Sequence, residues 1–201
     1  MKEIASLLDI ADQLLGDRGC PWDKEQTLLT LQPYLLEEMH ELIEAIDSSN
    51  AQKMTEELGD VLYLLVFVAK VAEAKGLFVF SDAVQVVAEK MVRRHPHVFG
   101  DVQVNSPDDV VKNWEEIKKK EKAQADRKKL FDGIPPTLPM LARAQKMVKI
   151  LRKHGTLTAA TEKSSVTEEE MGEQLWQLVV EAEDRGIDIE SAFRRKLRDY
   201  L

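Results

Sequence analysis

Cysteine occurs once, at Cys20, so no disulfide can form within the chain, and a reducing cytosol is the expected compartment. Long apolar runs are missing as well. The longest, Val61 to Ala69, is bounded by Asp60 and Lys70 and falls well short of the ~20 residues a bilayer-spanning helix requires. The opening Met1-Lys2-Glu3-Ile4 has an early acid and an amphipathic pattern where a secretory signal is basic and then apolar, so no leader is expected. Strand patterns are nearly absent, which leaves little from which to build a sheet. Positive charge is in deficit: 36 acidic against 28 basic side chains give a formal charge of -8. The deficit is local, since residues 1–125 hold 23 of the acids and half of the bases. Such a field repels a nucleic-acid backbone and favours cations, so neither a nucleic-acid polymer nor a membrane is expected as a partner.

What is present is helical spacing. The chain is 44% apolar, enough to fill a core, and its apolar residues recur three and four apart almost throughout, which predicts an all-α fold. A first helix is predicted over about Lys2 to Leu15, followed by a loop through Gly19-Cys20-Pro21-Trp22-Asp23. Thr27 is a candidate cap for the second, whose seam Leu28, Leu31, Leu35, Met39, Leu42 and Ile46 should be buried, with Pro33 kinking it or marking its true start. The third, near Gln52 to Lys75, is apolar all round from Val61 to Ala69 and must be covered on every side, which points to a subunit interface and a homodimer. Ser81 should cap a fourth helix burying Val84, Val87, Ala88 and Met91. A fifth opens at Ser106-Pro107-Asp108-Asp109 and buries Val110, Trp114 and Ile117.

The charged stretch Lys118 to Lys129 and the turn Asp132-Gly133-Ile134-Pro135-Pro136 read as a boundary, dividing the chain into 1–125 and 126–201. Beyond it come a helix from Leu138 to His154, a loop from Gly155 to Thr167 and a final helix pair from Glu168. Glu57-Leu58-Gly59-Asp60-Val61-Leu62-Tyr63 can be laid on Glu170-Met171-Gly172-Glu173-Gln174-Leu175-Trp176, and both helices end near a glycine, Gly76 or Gly186. The second segment therefore reads as a truncated copy of the first.

Chemistry concentrates in Glu37-Glu38-Met39-His40-Glu41 and Glu57-Leu58-Gly59-Asp60. Glu38 with Glu41, and Glu57 with Asp60, are spaced i,i+3, which sets each pair on one helical face about 5–6 Å apart at the β-carbons. If the two helices pack antiparallel, four carboxylates converge at a crevice. For any one of them, solvated surface is the simpler account, but as a set beside two very apolar helices they need a partner. Oxygen-only ligands suit magnesium or manganese rather than zinc or copper. Glu37-x-x-His40 has the local form of a di-iron site, yet that design needs a matching Glu-x-x-His elsewhere, which Glu57-x-x-Asp60 is not. Lys90 and Arg94, spaced i,i+4, read either as a clamp for phosphate oxygens or as a solvated basic helix end, with Arg93 a weaker candidate. Trp22 can stack a base or plug a core.

These residues carry a resemblance. Leu35-Leu36-Glu37-Glu38-x-x-Glu41 with Glu57-Leu58-Gly59-Asp60-Val61-Leu62 resembles the signature of the MazG family, all-α nucleoside triphosphate pyrophosphohydrolases. Gly19 to Thr27, Lys90-x-x-Arg93-Arg94-His95-Pro96-His97-Val98-Phe99 and Trp114-Glu115-x-Ile117-Lys118 fit it too. The resemblance implies a four-helix-bundle type of fold in a tandem arrangement. It further implies hydrolysis of nucleoside triphosphates to monophosphate and pyrophosphate, with magnesium on Glu38, Glu41, Glu57 and Asp60. Glu37 then positions or deprotonates water. Lys90, Arg93, Arg94, Trp22, Trp114 and Lys118 are the substrate-binding candidates. The second unit departs from the pattern: Gly155-Thr156-Leu157-Thr158 stands where a complete copy carries Phe-Asp-Trp, no Glu-Glu-x-x-Glu helix precedes Glu170, and Glu173 replaces the aspartate. Activity is therefore expected in residues 1–125. The rival is a non-catalytic helical module with a structural ion and a protein-docking remnant.

Overall fold

The structure is a computed structural model and describes residues 2–121, 130–158 and 166–200. Among the described residues all regular structure is helical, and no helix is long and apolar enough to cross a membrane. The chain divides into two compact units, Met1–Trp114 and Glu115–Leu201.

The first unit contains α1 (Lys2–Leu15), a short α2 (Pro21–Lys24), α3 (Gln32–Asp47), α4 (Ala51–Ala74), α5 (Phe80–Arg94), α6 (Pro96–Phe99) and the first part of α7 (Pro107–Lys120). Pro33 marks the true start of α3, where a residue without an N–H costs the helix nothing. Thr27 caps no part of it; instead it closes the preceding turn with Thr30, whose N–H donates to Thr27 Oγ1 at 3.2 Å while the Thr27 N–H donates to Thr30 Oγ1 at 2.8 Å. Residues 48–50 turn the chain back so that α3 and α4 run antiparallel, and Asn50 caps α4 by accepting from the Lys53 N–H at 3.1 Å. At its far end α4 stops on Gly76 with φ 66°, a left-handed closure in which the Leu77 N–H reaches back to the Ala72 carbonyl at 3.1 Å. α9 (Glu168–Asp184) ends the same way, with Gly186 at φ 64° and the Ile187 N–H bonded to the Ala182 carbonyl.

Ala11 on α1, Leu31, and Val66, Phe67 and Val71 on α4 form the core of this unit. Burying a side chain such as Phe67 is worth about 1.5–3 kcal/mol. Lys70, its side chain only 14% exposed, fastens α1 to α4 through Asp12 at 2.9 Å and also meets Glu73 at 3.1 Å. The hydrogen bond that Lys70 donates to Asp12 is the main cause that holds its pKa above the ordinary value.

Several helix faces that the periodicity assigns to the interior lie open. α5 buries none of its residues, Val84 and Val87 being 46% and 48% exposed. On α3, Met39 and Ile46 are exposed, and on α4 so is Leu65 within the otherwise covered run from Val61. These faces are apolar, but no element of the first unit is laid over them. α5 also starts earlier than Ser81 suggests: Val79 is its cap, and Asp82 accepts from the Val79 N–H at 3.0 Å, leaving Ser81 inside the first turn.

In the second unit α8 (Met140–Lys153) packs on α10 (Ile189–Arg198) through Ile134, Ala144, Met147 and Leu197. α8 begins behind Pro139 rather than at Leu138. α9 buries only Ala182. The charged stretch beyond residue 121 and the middle of the loop from Gly155 to Thr167 lie outside the described residues.

Candidate active site

Among the described residues, α3 and α4 pack along each other more extensively than any other pair of helices. Buried Ala45 lies one turn beyond Glu41, and buried Val61 one turn beyond Glu57, so the inward stripe of each helix carries its acids to the shared edge. One carboxylate oxygen from each of Glu38, Glu41 and Glu57 comes within 4.8 Å of the other two. Glu38 and Glu57 are half-buried and Glu41 is exposed, so the group lies on an open helix–helix edge rather than in a closed crevice.

Electrostatics report the crowding. Partial burial, then the charges of Asp60, Glu41 and Glu37, push the Glu38 carboxyl above the ordinary glutamate range. Partial burial, then Glu41, Glu56, Asp60 and Glu38, do the same to Glu57. Asp60 thus stands outside the closest triple yet near enough to act on both half-buried members. Glu37 is exposed beside Glu38. No histidine belongs to the group, and His40 is exposed, so a di-iron arrangement does not form among the described residues.

The donor set fits a hard divalent cation. Three carboxylate oxygens gathered from two helices, with only negative side chains among the charges that shift them, offer the oxygen-only environment magnesium or manganese takes. An added positive charge relieves the repulsion that raises these pKa values.

The remaining candidates fall in three places. Lys90 and Arg94 are half-buried on α5 and Arg93 is exposed. The Arg94 guanidinium lies 5.1 Å from the ring centre of Trp114, against which His95 also packs edge-on at 5.0 Å. His95 Nδ1 meets the Met91 carbonyl at 2.6 Å; a carbonyl only accepts, so Nδ1 carries the proton. Lys118 is 3.8 Å from Glu115, which Lys153 also grips at 2.6 Å. Trp22, on α2, packs edge-to-face on Tyr34 with ring centres 5.7 Å apart, and at 52% exposure it plugs no core.

Sequence reasoning passed over Tyr34 and assigned His95 no role. Tyr34 had a signal, because it stands one turn before Glu38 on the same helical face. His95 lies within a recognised motif, but its contact with Trp114 is tertiary and has no local signature.

The counterpart acids of the second unit are otherwise engaged. Glu170 is the third residue of α9 and forms a capping box with Thr167, accepting the Thr167 N–H at 2.7 Å and returning its own N–H to Thr167 Oγ1 at 3.2 Å. Glu173 accepts from the Gln177 side chain at 2.7 Å.

Comparison with known proteins agrees with this picture. Residues 26–99 match the MazG nucleotide pyrophosphohydrolase domain, a span that includes all four proposed ligands and Lys90 to Arg94. The chain is 43% identical over 150 residues to a nucleoside triphosphate pyrophosphohydrolase of Escherichia coli, covering 74% of this chain and 57% of that one. It is 37% identical over 213 residues to the nucleoside triphosphate pyrophosphohydrolase/pyrophosphatase MazG of Thermotoga maritima, covering 97% and 81% respectively. The crystal structure of a mazG-related protein from Thermotoga maritima superposes with a TM-score of 0.51 at 34% identity, over 58% of this chain and 99% of that one. The chain spans no more than 57% of the length of the curated relatives it matches at above 40% identity.

Proposed function

The chain belongs to the MazG family, and on that premise we propose that its first unit hydrolyses nucleoside triphosphates to nucleoside monophosphate and pyrophosphate with magnesium, clearing aberrant or excess nucleotides. The observation that carries the reading is the convergence of Glu38, Glu41 and Glu57 within 4.8 Å, with Asp60 acting on them. These four residues would hold the cation. When bound, it supplies positive charge against a triphosphate and lowers the barrier to phosphoryl transfer.

The protein's own groups do the rest. Glu37, exposed and outside the closest triple, takes a proton from the attacking water as the bond between the α- and β-phosphates breaks. Lys90 and Arg94, with Arg93 as a further cation, bind phosphate oxygens, and Arg94 approaches them across the face of Trp114. The exposed apolar faces of α3, α4 and α5, at Met39, Ile46, Leu65 and Val84, fit a homodimer in which a second copy covers them. The second unit is then a truncated, catalytically silent copy, since Glu170 serves as a helix cap.

The test is direct. The purified 201-residue chain given a nucleoside triphosphate mixture should release pyrophosphate and monophosphate only when magnesium or manganese is present. Release of orthophosphate alone sinks the reading in favour of a different phosphohydrolase, and no turnover with either metal leaves a binding module.

A further inference from the structure

α5 has to stop at Arg94, because Pro96 offers no N–H and its ring keeps the residue before it out of the helical region. His95 is that residue, at φ -120° and ψ 56°. Its N–H turns to the Val92 carbonyl at 3.2 Å, three residues back. Its own carbonyl accepts the N–H groups of Val98 at 2.9 Å and Phe99 at 3.0 Å as α6 begins. The Met91 carbonyl, which a continuing helix would pair with the His95 N–H, is left to the side chain, and the His95 Nδ1–H donates to it at 2.6 Å. Backbone and ring are thus tied at one turn. The imidazole cannot rotate without leaving a helix-end carbonyl unpaired.

The tied ring meets Trp114 edge-to-face, with centres 5.0 Å apart and planes at 69°. The Arg94 guanidinium lies over that same indole, 5.1 Å from its centre. Arg94 and His95 are consecutive, and consecutive side chains on a helix do not face each other, so an indole that touches both spans the end of α5. Trp114 belongs to α7, and nothing along α5 itself sets the plane of its ring except the residue it packs against. An arginine that grips an anion gives up the freedom of a long side chain, and a backing ring of fixed plane removes part of that loss beforehand.

We propose that His95 is a positioning residue for phosphate binding: tied to the Met91 carbonyl, it fixes the plane of Trp114 and so holds the Arg94 guanidinium ready for phosphate oxygens. It acts through Trp114 and Arg94 rather than on substrate. The proposal rests on the reading of Arg94 as a phosphate ligand of a nucleoside triphosphate site.

A double-mutant cycle between His95 and Arg94 tests it, with inorganic triphosphate and magnesium as the calorimetric probe and nucleoside triphosphate turnover measured alongside. His95→Ala should weaken triphosphate about 3- to 10-fold when Arg94 is present, within the coupling range of residues that share a partner, and less than about twofold when Arg94 is already alanine. His95→Asn keeps a donor for Met91 without the ring edge and should match His95→Ala. His95→Phe keeps the ring and should recover part of the affinity. Circular dichroism, and magnesium titration without triphosphate, should stay unchanged in every variant. Equal losses in the two Arg94 backgrounds, wild-type affinity in His95→Asn, a His95→Phe no better than His95→Ala, or a parallel fall in magnesium affinity overturns the positioning role. Wild-type protein that neither binds triphosphate nor turns over nucleotide overturns both this role and the proposed function. An active wild type with an indifferent His95→Ala removes the role of His95 alone.

Discussion

Glu38→Gln should be stabilising without metal and destabilising with it. The substitution removes one charge from a group in which its oxygens and those of Glu41 and Glu57 lie within 4.8 Å. At 4.8 Å, a like-charge pair in a water-like medium repels by about 0.9 kcal/mol, and an exposed pair on one helix by about 0.2–0.5 kcal/mol. In chelator, the variant should therefore gain a few tenths to about 1 kcal/mol, or about 1–4 °C in melting temperature for a chain of this size. Magnesium at 100 times its dissociation constant adds about 2.7 kcal/mol to a protein that binds it only when folded. Wild type should then overtake the variant, which has lost a ligand, by about 1.5–2.5 kcal/mol. Thermal melts of both proteins in chelator and in a magnesium series measure the crossing. If Glu38→Gln melts lower than wild type in chelator, or if magnesium raises both melting points equally, the acids are not a strained cation cage and the argument from their crowding fails.

The same crowding fixes the sign of a pH effect. Folding raises the Glu38 and Glu57 pKa values, so their contribution to stability is full below the ordinary value near 4.5 and is lost as pH rises through the raised values; magnesium affinity, measured by calorimetry, should conversely fall on acidification through that window. Asp109 and Asp188, lowered mainly by hydrogen bonds to the Asn105 N–H and to Ser191 respectively, contribute above 3.8 and lose that contribution as pH falls further, so metal-free stability should turn downward at the acid end of a chemical-denaturation series. Arg94→Lys should lower kcat/KM nearly as far as Arg94→Ala, about 1.5–3 kcal/mol, because the ammonium keeps the charge but not the flat contact with Trp114, while magnesium titration without nucleotide stays unchanged. A chain ending at residue 125 should remain helical by circular dichroism and release pyrophosphate; a folded but inactive product assigns part of the site to the second unit.

The helices were largely legible, and so was the edge that carries the acids. α1 follows from its apolar stripe, and the i,i+3 spacing of Glu38 with Glu41 and of Glu57 with Asp60 was enough to bring the acids of α3 and α4 together once a short turn joined the helices. The openness of Val84, Val87 and Met39 was not legible, because a 3.6-residue period reveals that a face is apolar without saying whether its cover lies in the same chain. Caps were read by residue type, and Ser81 lost to Asp82 because the backbone turn, set by the chain before it, placed Asp82 where the free N–H points. The pairing of Trp22 with Tyr34, and of Arg94 with Trp114, joins residues that are distant along the chain and have no periodic mark.

The capping box at Thr167 and Glu170 carries a lesson in register. Glu57 sits seven residues into α4, on a fully formed turn, whereas its counterpart Glu170 sits three residues into α9, where its carboxylate is bent back onto the chain that enters the helix. An engineer who wished to give the second unit a carboxylate group of its own would gain nothing by changing Glu173 to aspartate. The helix would first have to be lengthened at its start by about one turn, with another residue taking over the cap, before Glu170 could point sideways. The two aligned segments differ in where their helices begin, and that offset separates a carboxylate placed as a prospective ligand from one that serves as a fastening.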